Sequence, residues 1–164
     1  MNVESFFYQL SSLEEESAQF YEQMRQLTLT MPRVEALFKR LSQEEKAHKN
    51  HINLAKAYQS QGAEHFFIRD GCAETIQTAR QILAYLGEKF TRNPPLPPFL
   101  DLLTEVLEFE KEMEASHYSS YIEIKDEALR NLLLQLSQFD KNHVNEIHTF
   151  RQEILSTIQE DPET

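Results

Sequence analysis

The sequence predicts an all-α protein: four long helices in two antiparallel pairs, with a crossover connection that carries one additional helix. Three observations predict it. The 164 residues include only 3 Gly and 6 Pro, which leaves little loop material. Apolar side chains recur at steps of three and four over long stretches, the period of an amphipathic helix. The two halves of the chain also repeat one another with a shift of 95 or 96 residues. Short links within each pair and a long connection between the pairs are the pattern of an antiparallel four-helix bundle with one crossover.

The first helix, about 3–29, carries Phe7, Leu10, Glu14, Ser17, Tyr21 and Met24 on one stripe, and Leu13, Phe20 and Leu27 widen that face. "TMPR" ends it, with Pro32 placed to open the next helix. The second, about 33–60, runs Val34, Leu37, Leu41, Glu45, His48, Ile52 and Ala55 in the same rhythm. After the connecting stretch 61–72 comes the additional helix, about 73–91, with Ile76, Ile82, Leu83 and Leu86 apolar. "RNPPLPPF" (92–99) then interrupts all periodicity with four prolines and reads as an extended connector. The third long helix, about 99–123, shows Leu103, Val106, Glu110, Met113 and His117. The fourth, about 127–158, shows Leu129, Leu133, Leu136, Asp140, His143, Ile147, Phe150 and Ile154.

This length suits one domain with a real core, residues 1–164, built from repeat units 3–60 and 99–158 around a crossover at 61–98. A formal net charge of −11 argues against nucleic acid and anionic membrane as partners and favours cations. The one cysteine, Cys72, excludes a disulfide framework within the chain and any CxxC metal knuckle; without a visible base beside it, it reads as structural. No apolar run approaches the roughly 18 residues of a transmembrane helix. "MNVESFFYQL" lacks the basic start and apolar stretch of a secretory signal, so a soluble, cytoplasmic protein is expected.

Each stripe is apolar except at mid-length, where it turns polar. "RLSQEEKAHKNHI" (40–52) and "QLSQFDKNHVNEI" (135–147) agree at seven of thirteen positions, and both keep an acid three residues before a histidine. Residues three apart lie about one turn up and roughly 60° round a helix, so each pair points to one locus. Bringing Glu14, Glu45, Glu110 and Asp140 into one core would place four negative charges in a low dielectric, where each costs several kcal/mol if unpaired. No Lys or Arg occupies a stripe position beside them. Two divalent cations would cancel the charge, with one imidazole for each, and mixed oxygen and nitrogen donors suit iron or manganese, with zinc as the usual contaminant.

These residues resemble those of rubrerythrin-type proteins of the ferritin-like superfamily. "EEESAQFYEQM" (14–24) followed by "LSQEEKAH" (41–48) looks like the first half of such a protein, and 103–150 looks like the second. The resemblance implies a ferritin-like fold and a di-iron carboxylate site. By position, Glu14 matches the ligand of the first helix and stands seven residues before Tyr21, although "EEE" offers Glu15 and Glu16 beside it. Glu45 and His48 match the second-helix pair, Glu110 the third-helix ligand, and Asp140 and His143 the fourth-helix pair. Tyr21 is either ordinary core or a hydrogen-bond partner of a ligand carboxylate. His117, at the place of Tyr21 in the repeat, is either near the metals or a satisfied core histidine. His51 and His148 lie on the flanks and are expected at the surface.

The sequence departs from the family in three places. Asp140 replaces the expected Glu and is one methylene shorter. Met113 stands where rubrerythrin has a further carboxylate, and Glu114 is one position off. The four cysteines of a rubredoxin module are not among these residues, so the resemblance leads us to expect an external protein as electron donor. The resemblance thus implies an oxidoreductase of the peroxidase or ferroxidase type acting on peroxide or oxygen, and a homodimer. The alternatives are a protein that binds iron or another metal without turnover, and a metal-free helical interaction module.

Overall fold

The computed structural model describes residues 1–62, 66–91, 99–115 and 122–160, with the side chains of Thr91, Glu114, Ala115, Ser137, Asp140 and 157–160 outside that description. Among the described residues the chain forms five helices and two short strands: α1 (Val3–Leu27), α2 (Pro32–Ser60), β1 (Phe66–Ile68), α3 (Cys72–Thr91), α4 (Phe99–Ala115), β2 (Ile122–Ile124) and α5 (Glu127–Glu160). No described helix is long and apolar enough to cross a membrane.

Local chemistry sets the helix ends. The Asn2 side chain accepts the Ser5 N–H at 2.8 Å and caps α1. At the other end the Thr28 N–H returns to the Arg25 carbonyl, while the Thr28 hydroxyl donates to that of Met24 at 2.8 Å. Arg25 in the last turn of α1 favours the negative end of the helix dipole and ties to Glu35 of α2 at 2.9 Å. Pro32 opens α2, where its missing N–H costs nothing. Gly62, just past α2, takes φ 108°, a left-handed conformation that favours glycine.

α1 packs on α2 and α3, α4 packs on α3 and α5, and α2 packs on α5. Their inward faces form one contiguous apolar cluster to which all five helices contribute. Every α2 stripe residue expected from periodicity is buried, polar Glu45 and His48 included. On α1 the stripe is buried through Met24, but Leu27 is 40% exposed because it ends the helix.

Two expectations need correction. The third long helix does not reach residue 123: α4 ends at Ala115, and Ile122–Ile124 is strand β2. The stretch 61–72, read as a plain connector, contains β1. The strands pair antiparallel with Phe66 opposite Ile124 and Ile68 opposite Ile122. A three-residue strand gives too few alternations to register as a period, and each here depends on a partner far along the chain. Phe66 also packs its ring 5.6 Å from Phe6 and 5.4 Å from Phe7, which fixes the ribbon on α1. The proline-rich connector lies outside the described residues apart from Phe99, which opens α4.

Candidate metal centre

Four helices deliver polar side chains to one interior locus. α1 contributes Glu14 and Tyr21, α2 contributes Glu45 and His48, α4 contributes Glu110, and α5 contributes His143. All six are buried, none more than 4% exposed. Ser42, one turn before Glu45, donates to the Ala18 carbonyl at 2.9 Å and locks α2 against α1 at the level of the cluster. The neighbours of Glu14 point elsewhere: Glu15 meets Lys49 at 2.7 Å, and Glu16 accepts from Ser12 at 2.8 Å. Of the three acids in "EEE", Glu14 is the one that reaches the interior.

Glu45 stands between the two histidines. One carboxylate oxygen lies 3.0 Å from His48 Nδ1, and the other lies 3.4 Å from His143 Nδ1. Glu14 approaches His48 Nδ1 to 3.5 Å, and Glu110 approaches His143 Nδ1 to 3.5 Å. Each histidine thus faces one acid from its own side and shares Glu45. The Tyr21 hydroxyl donates to the second oxygen of Glu110, so Tyr21 is a hydrogen-bond partner within the cluster rather than plain core.

Electrostatics follow from this crowding. Burial and the charge of Glu45 push the Glu14 carboxyl up to about 7. Burial would raise Glu45 as well, but His143 and His48 hold it below its ordinary value. Burial alone would lower both histidines, yet the carboxylates of Glu14 and Glu45 raise His48 to about 10. Glu110, Glu44 and Glu45 raise His143 well above the usual imidazole range. Burial and the Glu110 charge hold Tyr21 far above its ordinary value, so its proton stays in place.

One carboxylate left charged and unpaired in such an interior costs several kcal/mol. A fully buried leucine or phenylalanine contributes only about 1.5–3 kcal/mol. The acids therefore need neutralising, by protons on the histidines or by a cation. The geometry fits a cation. Two ligand atoms each about 2.1 Å from a shared ion stand about 3.0 Å apart at a right angle and about 3.4 Å apart at the tetrahedral angle. The observed nitrogen–oxygen separations of 3.0–3.5 Å match that range. Neither ring nitrogen of His143 makes a hydrogen bond of good geometry among the described residues, although carboxylate oxygens surround it. Three residues converge most tightly: ligand atoms of Glu45, His48 and His143 lie within 4.8 Å of one another.

Of the six ligands expected from sequence, Glu14, Glu45, His48, Glu110 and His143 meet here. The Asp140 and Glu114 side chains and the whole of His117 lie outside the described residues. His148 is exposed as expected, whereas His51 is half-buried and meets the Phe139 ring edge-on at 6.0 Å. Cys72 is buried at the start of α3, its thiol pushed up to about 11 by burial, which suits a structural role.

Two contacts escaped the sequence reading. Glu44 places an oxygen 3.0 Å from His143 Nε2, on the opposite edge of that ring from Glu45. Phe139 lays its ring over His48 at 5.2 Å with 14° between planes. Both positions fall beside the polar centre of a stripe rather than on it, but the repeat places Glu44 and Phe139 at equivalent positions, which was a usable signal.

Comparison of the chain with protein-family models, curated proteins and solved structures gives no match. Fold and site together define a mostly helical protein with a buried Glu/His group that could hold a metal ion.

Proposed function

We propose that the chain is a di-iron carboxylate protein of rubrerythrin type with a ferritin-like four-helix bundle, reacting with peroxide or oxygen. The observation that carries this reading is Glu45, with one oxygen toward His48 and the other toward His143. Glu14 and Glu110 flank it, one toward each histidine. That is a near-symmetric pair of donor sets sharing one carboxylate, suited to two cations, with iron or manganese favoured by the oxygen-rich donors. Asp140, equivalent to Glu45 in the repeat, is proposed to complete the set.

Bound there, the metals would supply the electrons that reduce peroxide or oxygen. The residues of the chain do the rest. His48 and His143 each present one nitrogen, with Glu14 and Glu110 anchoring the opposite sides. Tyr21 holds Glu110 in a fixed orientation and keeps its proton, so it acts as a donor to the carboxylate rather than as an acid. The ring of Phe38, stacked on Tyr21 at 6.2 Å, helps exclude water behind that bond. An external protein is proposed as the electron donor, together with a homodimeric state and a cytoplasmic setting.

A second reading is a protein that binds one cation without turnover. The tighter convergence of Glu45, His48 and His143 favours it, since three atoms in one group suit one ion. Metal analysis of protein from iron-supplemented cells, followed by peroxide consumption with a reductant present, tests both. Two metals per chain and reductant-dependent loss of peroxide support the redox protein. One tight metal with no peroxide loss supports the binding protein, and a chain purified without metal that takes up none on titration refutes both.

A further inference from the structure

A cleft of about 160 Å³ opens between α2 and α5 and reaches both histidines. It has room for several waters, enough for a partly hydrated cation. Its walls come from equivalent positions of the repeat: Glu44, Ala47 and His48 on one side, Phe139, Asn142 and His143 on the other. Each first-named residue reaches across to the histidine of the opposite half. Glu44 stands 3.0 Å from His143 Nε2, and Phe139 covers the ring of His48. The two halves thus make the same contact with opposite chemistry. Over His48 the cleft is partly covered by an aromatic ring. Over His143 it is faced by a carboxylate that is 41% exposed to solvent.

We propose that divalent cations reach the cluster through this cleft on the His143 side, with Glu44 capturing them at the surface and passing them to His143. The proposal rests on the metal-binding reading of the cluster. Three features support it. Glu44 touches the ring edge that faces away from Glu45 and Glu110, so it spans solvent and interior. His143 Nε2 is buried, lacks a hydrogen bond of good geometry and lies 3.0 Å from a Glu44 oxygen. Among the described residues the other acid lining the cleft, Glu146, is paired with Arg40, whereas Glu44 faces His143 Nε2. A carboxylate that contacts the ion only during passage should govern how fast the site fills and not how full it becomes.

The test uses the full metal-free chain and Co²⁺, whose visible absorption reports coordination, mixed in a stopped-flow instrument. Glu44→Gln should slow loading by about 10-fold or more, as loss of a steering charge does, with the final absorbance unchanged. Asn142→Phe, which narrows the cleft without touching Glu44, should slow loading as well. Glu108→Gln, at an exposed position of α4, removes the same charge elsewhere and should load at the parent rate. Parent-like loading in Glu44→Gln overturns the proposal while leaving the metal-binding reading intact. So does equal slowing in Glu108→Gln, or a lower final absorbance in Glu44→Gln, which would make Glu44 a resident ligand. Failure of the parent chain to bind Co²⁺ overturns the metal-binding reading and the proposal with it.

Discussion

The imidazoles of His48 and His143 lie with their centroids 5.0 Å apart and their planes 23° from parallel. They come from α2 and α5, helices far apart along the chain. Two such buried rings, each surrounded by carboxylates, bring together nitrogen and oxygen atoms that could hold a metal ion.

Replacing either ring by a hydrocarbon of similar bulk should separate ligation from packing. His48→Leu and His143→Leu extend the apolar stripes of α2 and α5, so both should fold with the parent helix content. Each should bind one metal fewer per chain by elemental analysis. A variant that keeps the parent metal content would show its histidine to be a packing residue.

Glu45 faces both rings, whereas Glu14 faces one. Glu45→Gln should therefore weaken binding of both cations, and Glu14→Gln that of the His48-side cation alone. Titration with Mn²⁺ followed by equilibrium dialysis distinguishes these outcomes. The same stoichiometry in both variants would contradict the shared position of Glu45.

Tyr21→Phe removes the hydroxyl that orients Glu110 and leaves the ring in place. The expected result is metal affinity lower by about 10–100-fold, the usual effect of losing a partner of a ligand. Stability should fall by about 1–3 kcal/mol, because a buried acceptor loses its donor. Unchanged affinity together with lowered stability would reduce Tyr21 to a core residue.

Acid–base behaviour of the metal-free protein follows from the raised groups Glu14, His48 and His143, the last acting in the same direction as His48. Glu14 goes from 4.5 to about 7 in the fold, and its contribution to stability is complete below pH 4.5 and lost as pH rises through 7. His48 goes from 6.5 to about 10, so its contribution is complete below pH 6.5 and lost as pH rises through 10. Glu45, held low, works in the opposite direction and only below about pH 4.5. Chelator-treated protein should accordingly melt at a lower temperature at pH 9 than at pH 6. Metal-loaded protein should lose less over that interval, because a ligand bound only by the native state stabilises it. A metal-free melting temperature that rises from pH 6 to pH 9 would contradict the buried cluster.

Much of the site was legible because a helix repeats its geometry. Glu14, Glu45, His48, Glu110 and His143 stood out as polar breaks in apolar stripes, and the 3.6 period alone brings such breaks to the inward faces. Choosing Glu14 over Glu15 required Tyr21, and the Lys49–Glu15 contact gives the physical reason: the neighbouring acid belongs to the surface of the α1–α2 pair. Glu44 and Phe139 were missed as site residues despite their equivalent places in the repeat, because a position one step off the stripe becomes functional only when a second helix passes close by. The strands were lost for a related reason. Phe66 and Ile124 are partners in space, and nothing local to either announces the other.

That ribbon bears on how accurately the site is assembled. β1 begins six residues after α2 ends, and β2 ends three residues before α5 begins. The backbone pairing of Phe66–Ile68 with Ile122–Ile124 therefore joins the two helices that carry His48 and His143, near the end of one and the start of the other. A helix advances about 5.4 Å per turn, so a slip of one turn between α2 and α5 would carry His143 beyond reach of Glu45. The buried leucines of α5 recur at about one-turn spacing, at Leu129, Leu133 and Leu136, so the apolar stripe by itself marks the register weakly. The ribbon acts as an index mark that singles out one alignment from several that bury similar surface.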